Sequence, residues 1–302
     1  MSLTSSELQS LRALTCFEED IDISAITNGM SHTCVKVTTT SQSFFVKRLN
    51  PETANKEVYC SKYTATNKIS PPVIYSDNTW LITEFININK IDENEPCSTN
   101  IISTGLSLMG SLHRLPPIST SSITPLNIND TLDTLINELN SLTPLQRTML
   151  TNISHTITLR INQLKKLSRS PNVLCHGDIN YSNILSSDTK KAWLIDFECA
   201  QLGPIEFDLG MFIAVNNIPT EKVSAIVIEY RKITSDNKVN TELLTYYTLF
   251  SYFINALWYF DNFDTLNSES VLFKLSAQQS IAFDNLATKH HLSFPKVSSL
   301  LS

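Results

Sequence analysis

The stretch from Leu174 to Leu185, Leu-Cys-His-Gly-Asp-Ile-Asn-Tyr-Ser-Asn-Ile-Leu, constrains this chain more than any other, together with Trp193-Leu-Ile-Asp-Phe-Glu198 just after it. Short apolar runs at 173–175, 184–186 and 192–195 read as strands, with a sharp loop between the first two. Two short strands around a tight loop carry Asp178, Asn183 and Asp196 to one edge. An isolated Asp or Asn in a turn is ordinary loop chemistry. Two carboxylates and an amide at these spacings, on alternating apolar strands, point to a site.

The chemistry that needs this set is phosphoryl transfer. One Asp accepts the proton of the substrate hydroxyl, while the Asn and a second Asp hold Mg²⁺ on the nucleotide phosphates. Such a site makes demands upstream, and the first 86 residues meet them. β-rich runs at Cys34–Thr38 and Ser43–Leu49 flank a polar turn, and Asn50-Pro51 breaks the second. Lys47 ends the strand Phe44-Phe-Val-Lys, where a phosphate-pairing Lys belongs, and Glu57 follows ten residues later in a helical stretch as its ion-pair partner. The turn Asn28-Gly-Met-Ser-His-Thr33 is the candidate nucleotide cover, with Gly29 and the Ser31 and Thr33 hydroxyls doing the cradling. Glu84-Phe-Ile86 closes the sheet where the adenine hinge is expected, so Glu84 and Ile86 are candidate nucleotide contacts.

Composition excludes the alternatives. Six glycines in 302 residues, against about 21 at ordinary usage, leave little for glycine-rich phosphate loops. No G-x-G occurs, and the nearest approach to a Walker A loop, Gly105 to Ser111, puts Ser where Lys must be, so it reads as helix interior. A net charge of −6 argues against a nucleic-acid footprint. The cysteines show no C-x-x-C, which suits reduced thiols without zinc. The start, Met1-Ser-Leu-Thr-Ser-Ser, has no leader pattern and no apolar run nears 18 residues, so the expectation is a cytoplasmic protein that does not enter a membrane.

Helical character is expected at 5–19, 53–68, 101–114, 130–141, 144–168 and from 220 onward. The reading is an α+β chain of two lobes: residues 1–86 as a small antiparallel β lobe that binds nucleotide, 87–100 as a polar hinge, and 101–302 as a larger, mainly helical lobe for catalysis and substrate.

Residues 24–215 resemble the aminoglycoside phosphotransferase and choline kinase superfamily, with its protein-kinase-like fold. His176-Gly-Asp-x4-Asn183 and Ile195-Asp-Phe-Glu198 are similar to its catalytic and metal motifs, and the Glu after Asp-Phe resembles the choline, ethanolamine and thiamine kinase branches. Gly29-Met-Ser-His-Thr-Cys-Val35 resembles their nucleotide loop, and Leu112-His-Arg-Leu-Pro116 a helix end common in the group. The resemblance implies ATP and Mg²⁺ as cofactors, Asp178 as base, Asn183 and Asp196 as metal ligands, and Lys47 with Glu57 as phosphate clamp. Glu198 would be a further metal ligand or a substrate-side carboxylate. His176 and Asp208, the latter in Glu206-Phe-Asp-Leu-Gly210, would support the loop, and His113 reads as a buried histidine. Cys199 departs from the aromatic often found there. Ala-Pro-Glu and Asp-Phe-Gly are missing, which argues against a protein substrate.

The expected acceptor is therefore a small molecule. Residues 246–263 hold nine aromatics, from which Tyr252, Trp258 or Tyr259 could receive a cationic acceptor such as thiamine, choline or ethanolamine by cation–π contact. A buried core helix explains the same aromatics. The alternatives are an aminoglycoside phosphotransferase, which wants an acidic groove, and a silent nucleotide-binding protein, which would have lost a base or metal ligand; none is lost.

Overall fold

Two units build the chain, and neither is a single block of sequence: residues 1–96 join 182–200, and 97–181 join 201–302. The computed structural model describes residues 3–17, 20–26, 33–87, 99–116, 118, 122–168, 171–187, 191–235, 239–263 and 271–302. In chain order the described elements are α1 (Ser5–Arg12), β1 (Asp22–Ile26), β2 (Cys34–Thr38), β3 (Ser43–Arg48), α2 (Ala54–Thr66), β4 (Val73–Ser76), β5 (Trp80–Glu84), α3 (Thr99–His113), α4 (Ile128–Glu138) and α5 (Pro144–Ser168). There follow β6 (Val173–Cys175), β7 (Ile184–Ser186), β8 (Ala192–Leu194), β9 (Gln201–Gly203), α6 (Ile205–Val215), α7 (Val223–Thr234), α8 (Thr241–Asn262), α9 (Val271–Lys289) and α10 (Val297–Leu300).

The first unit is a five-stranded antiparallel sheet in the order β1-β2-β3-β5-β4. Side chains alternate across a strand. Val35, Val37, Phe44, Val46, Trp80 and Ile82 therefore share one face, closed by Leu11, Phe17 and Ile21. Cys34 and Lys47 face each other in the β2–β3 register and take the opposite side. On that side Leu81 packs with Leu49 and Ala54 at the start of α2. Burying each large aliphatic here contributes about 1.5–3 kcal/mol. The β7–β8 hairpin joins this unit, with the Leu194 N–H donating to the Ile69 carbonyl over 2.8 Å.

α1 begins as the sequence suggests, with a capping box between Thr4 and Glu7. It stops at Arg12 rather than running to 19, and successive tight turns carry the chain to Phe17.

The second unit is helical. Its core gathers Leu132, Ile136, Ile153, Ile157 and Ile161 from α4 and α5 with Phe207, Tyr247, Phe250, Phe253 and Phe283. α6 is buried along almost its whole length. A helix buried on nearly every side shows no amphipathic period, its two carboxylates Glu206 and Asp208 being buried as well, which is why its pattern is illegible in sequence. Gly210 lets it approach α8, since a Cβ there would lie 2.8 Å from the Tyr247 carbonyl carbon and 2.9 Å from the Thr248 nitrogen. β6 pairs with β9, not with the β7–β8 hairpin. The two strands flanking the sharp loop therefore belong to different sheets, a pairing that their spacing in sequence does not reveal. Strand pairing is non-local, and three-residue runs do not specify their partners.

Candidate active site

In the first unit the β3 strand delivers Lys47, buried to 3% exposure. Its Nζ lies 2.6 Å from Glu57 Oε1, 2.7 Å from Asp196 Oδ1 and 4.0 Å from Glu198 Oε2. Burial alone would depress the ammonium's pKa; Asp196 and Glu57 outweigh it and raise the value above the ordinary 10.5. Burial pushes the Glu57 carboxyl upward against the pull of Lys47. The Cys34 thiol opposite Lys47 is raised to about 11, mainly by burial, so it is a neutral neighbour at pH 7.

Asp196 holds a left-handed backbone, φ 67° and ψ 68°, just ahead of the 3₁₀ turn Phe197–Cys199. Such a conformation costs a non-glycine residue free energy and is held only where its surroundings fix it. Here it presents the carboxylate to Lys47. Asn183 closes another 3₁₀ turn, is buried, and its carbonyl accepts the Ile195 N–H over 3.1 Å. That bond ties Asn183 to the residue before Asp196.

This cluster also fits a divalent cation. One oxygen each from Glu57, Asp196 and Glu198 lies within 4.8 Å of the others, against the single positive charge of Lys47. Glu57 Oε2 is buried with no hydrogen-bond partner among the described residues. Three carboxylates around one ammonium leave negative charge that hard oxygen ligands would share with Mg²⁺.

In the second unit the loop after β6 is held by α6. Asp208, fully buried, accepts the His176 N–H at Oδ2 over 2.9 Å and the Gly177 N–H at Oδ1 over 2.8 Å. His113 Nε2 lies 2.9 Å from Oδ2 and Nδ1 lies 2.7 Å from the Tyr230 hydroxyl. A carboxylate only accepts, so Nε2 carries a proton. Burial pushes the Asp208 carboxyl up, but the bonds from His113 and the loop amides outweigh it and lower the pKa below 3.8. Gly177 takes φ 78°, a turn open to glycine.

The Asp178 N–H donates to His176 Nδ1 over 3.2 Å, and Asn180 Nδ2 donates to Asp178 Oδ2 over 3.0 Å. Beyond them Asn216 accepts the Tyr181 N–H and donates to the Ile179 carbonyl, both over 2.9 Å. Asn180 and Asn216 were not singled out in the sequence. Asn180's place two residues after Asp178 was a usable signal, whereas Asn216 carried none.

Tyr259 on α8 is partly buried, and its hydroxyl pKa is raised by burial first and by the charge of Asp178 second. Its ring meets Trp258 edge-on at 5.5 Å, and Trp258 is 38% exposed. Tyr252 lies buried in the helical core, its phenol raised to about 12 by burial. Glu84 ends β5 in register with Phe44 and is exposed; Ile86 follows the strand, partly buried. Thr33 is buried, its carbonyl accepting the Arg48 N–H over 3.0 Å. Gly29 and Ser31, like residues 88–98 of the expected hinge, lie outside the described residues.

No helix among the described residues is long and apolar enough to cross a membrane. The described cysteines, 16, 34, 60, 175 and 199, are all free thiols.

The fold is shared with solved kinases. An ethanolamine kinase from Plasmodium vivax aligns with a TM-score of 0.69 at 16% identity, over 89% of this chain and 83% of its own. A choline kinase from Streptococcus pneumoniae gives 0.68 at 14%, over 94% and 97%. A spectinomycin phosphotransferase, solved with ADP and spectinomycin, gives 0.55 at 15%, over 97% of both chains. At these identities the likeness establishes the fold, protein-kinase-like and α+β. No curated protein matches the sequence. The family model described as "Phosphotransferase enzyme family" matches residues 22–236, most of the chain, and the chain belongs to that family.

Proposed function

We propose that this phosphotransferase moves the γ-phosphoryl group of ATP to the hydroxyl of a small, cationic metabolite, with thiamine, choline and ethanolamine as the leading acceptors. The observation that carries the reading is the buried Lys47 ammonium held between Glu57 and Asp196, the pairing a kinase uses to grip nucleotide phosphates. In this reading Lys47 exchanges its contact with Asp196 for phosphate oxygens, while Glu57 keeps the ammonium in place. Glu84, Ile86, Thr33, Gly29 and Ser31 would surround the nucleotide. Asn183, Asp196 and Glu198 would hold Mg²⁺, which when bound neutralises charge on the transferring phosphates.

Asp178 accepts the acceptor's hydroxyl proton as that oxygen bonds to the γ-phosphorus and the bond to the β-phosphate oxygen breaks, releasing ADP. The Asn180 amide on Oδ2 fixes the plane of the Asp178 carboxylate. His176 and Asp208 hold the loop. Trp258 and Tyr259 offer aromatic faces to a cation, and the raised pKa keeps the Tyr259 phenol neutral at pH 7. Tyr252 would act behind them through packing.

The test is ADP release with thiamine, choline, ethanolamine and kanamycin as acceptors, with and without Mg²⁺. The expected result is Mg²⁺-dependent turnover of at least one of the first three, reduced about 10²–10⁴-fold in Asp178→Asn. Turnover of kanamycin alone would move the reading to antibiotic modification. No turnover with any acceptor, or an unchanged kcat in D178N, would refute it.

A further inference from the structure

Asp178 and Asn180 sit on a loop whose backbone is bonded on both sides by side chains from the two ends of one helix, α6, Asp208 in its first turn and Asn216 at its C-cap. On the upstream side Asp208 accepts the His176 and Gly177 N–H groups. On the downstream side Asn216, which caps α6, accepts the Tyr181 N–H at Oδ1. Its Nδ2 donates to the Ile179 carbonyl and to the Phe212 carbonyl, each over 2.9 Å. A backbone N–H can only donate and a carbonyl can only accept, so both ends of the amide are required at once. Asp lacks the donor and Leu lacks both.

The end of α6 that carries Asn216 is itself fixed. The Asn217 N–H donates to the Ala214 carbonyl and the Ile218 N–H to the Ile213 carbonyl, closing the helix with Asn217 at φ 48°. Gln279 of α9, buried, donates from Nε2 to the Ala214 carbonyl over 3.0 Å and to Asn217 Oδ1 over 2.9 Å. Asn255 of α8 in turn donates to Gln279 Oε1 over 3.3 Å. Asn216 thus projects from a braced end, and residues 178–180 are suspended between its amide and the Asp208 carboxylate.

We infer that Asn216 is a positioning residue for phosphoryl transfer, acting through the backbone of residues 179–181 to hold Asp178 and Asn180 in reacting geometry. The inference rests on the assignment of Asp178 as the base. A displacement of about 1 Å at a reacting group can cost on the order of 10²-fold in rate, so the effect should fall on kcat and leave nucleotide binding alone.

The experiment uses the full chain with Asn216→Ala and Asn216→Asp, two variants so that a folding failure of one does not end the test. For each, kcat, KM for ATP, the dissociation constant for ADP, the melting temperature and hydrogen exchange at the Tyr181 amide are measured. The expected result is a kcat at least tenfold lower in both folded variants at 25 °C, ATP KM and ADP affinity within about twofold of the parent, and faster exchange at Tyr181 in Asn216→Ala, which removes the acceptor of that N–H. A purely structural role would lower the melting temperature and leave kcat of the folded protein intact; that result, or Tyr181 exchange unchanged in Asn216→Ala, would overturn the inference. Failure of the phosphotransferase reading looks different: the parent chain itself transfers no phosphate. The Tyr181 exchange then still decides whether Asn216 clamps the loop.

Discussion

Replacing Asp208 by Asn changes one atom and places an N–H₂ group among N–H donors. Asp208 accepts from His176, Gly177 and His113 in a site with no solvent exposure. Hydrogen bonds to a charged group contribute about 1.5–3 kcal/mol each, and a buried donor left without a partner costs about 1–3 kcal/mol. Whichever way the new amide turns, at least one of these bonds is lost and its donor stranded, so the loss is about 2.5–6 kcal/mol. At about 2–4 °C per kcal/mol for a domain of this size, the melting temperature should fall by about 5–24 °C. Differential scanning calorimetry at pH 7 measures this, with His113→Ala and the double variant completing a cycle. Because His113 and Asp208 touch, their effects should be non-additive by at least about 1 kcal/mol. A melting point within 2 °C of the parent, or strictly additive effects, would refute the brace. The same group sets an acid limit. Its folded pKa lies below the ordinary 3.8, so its contribution is complete above that value and disappears as pH falls through the folded pKa. The D208N variant should therefore lose less stability than the parent on going from pH 5 to pH 2.

Lys47→Met leaves the buried Glu57 without its cation; breaking a buried pair in this way costs about 3–5 kcal/mol, and ATP turnover should fall to background in the ADP-release assay. The Lys47 pKa is raised above 10.5, so its contribution is full below that value and is lost only as pH rises through the folded pKa; an alkaline melting series should show K47M flatter than the parent above pH 10.5. Gly210→Ala would force α6 and α8 apart at contacts of 2.8–2.9 Å with backbone. It should cost about 1–3 kcal/mol by thermal melting, and a melting temperature unchanged in G210A would contradict that packing.

The site was legible to the degree that its chemistry is written in contiguous motifs. Spacing alone marked Lys47, Glu57 and Asp196, and the structure brings all three within hydrogen-bond range. Asp208 was visible only through resemblance, because α6 is buried on every side and carries no periodic signal. Asn216 was invisible, since a helix-capping Asn is common and only the loop folded beside it makes it notable.

The amino-acid order by itself determined the antiparallel strands with their alternating apolar faces, the long amphipathic helices such as α5, and the types of group available for phosphoryl transfer. These are local consequences: side-chain period, turn formers and residue chemistry are fixed within a few positions. Tertiary structure alone decided that β6 pairs with β9, that β7 and β8 join the sheet unit, that Tyr252 is spent on the core, and that Asp208 and Asn216 grip the loop around Asp178. Each of those depends on hydrogen bonds and packing between residues far apart in the chain, where no local pattern names the partner.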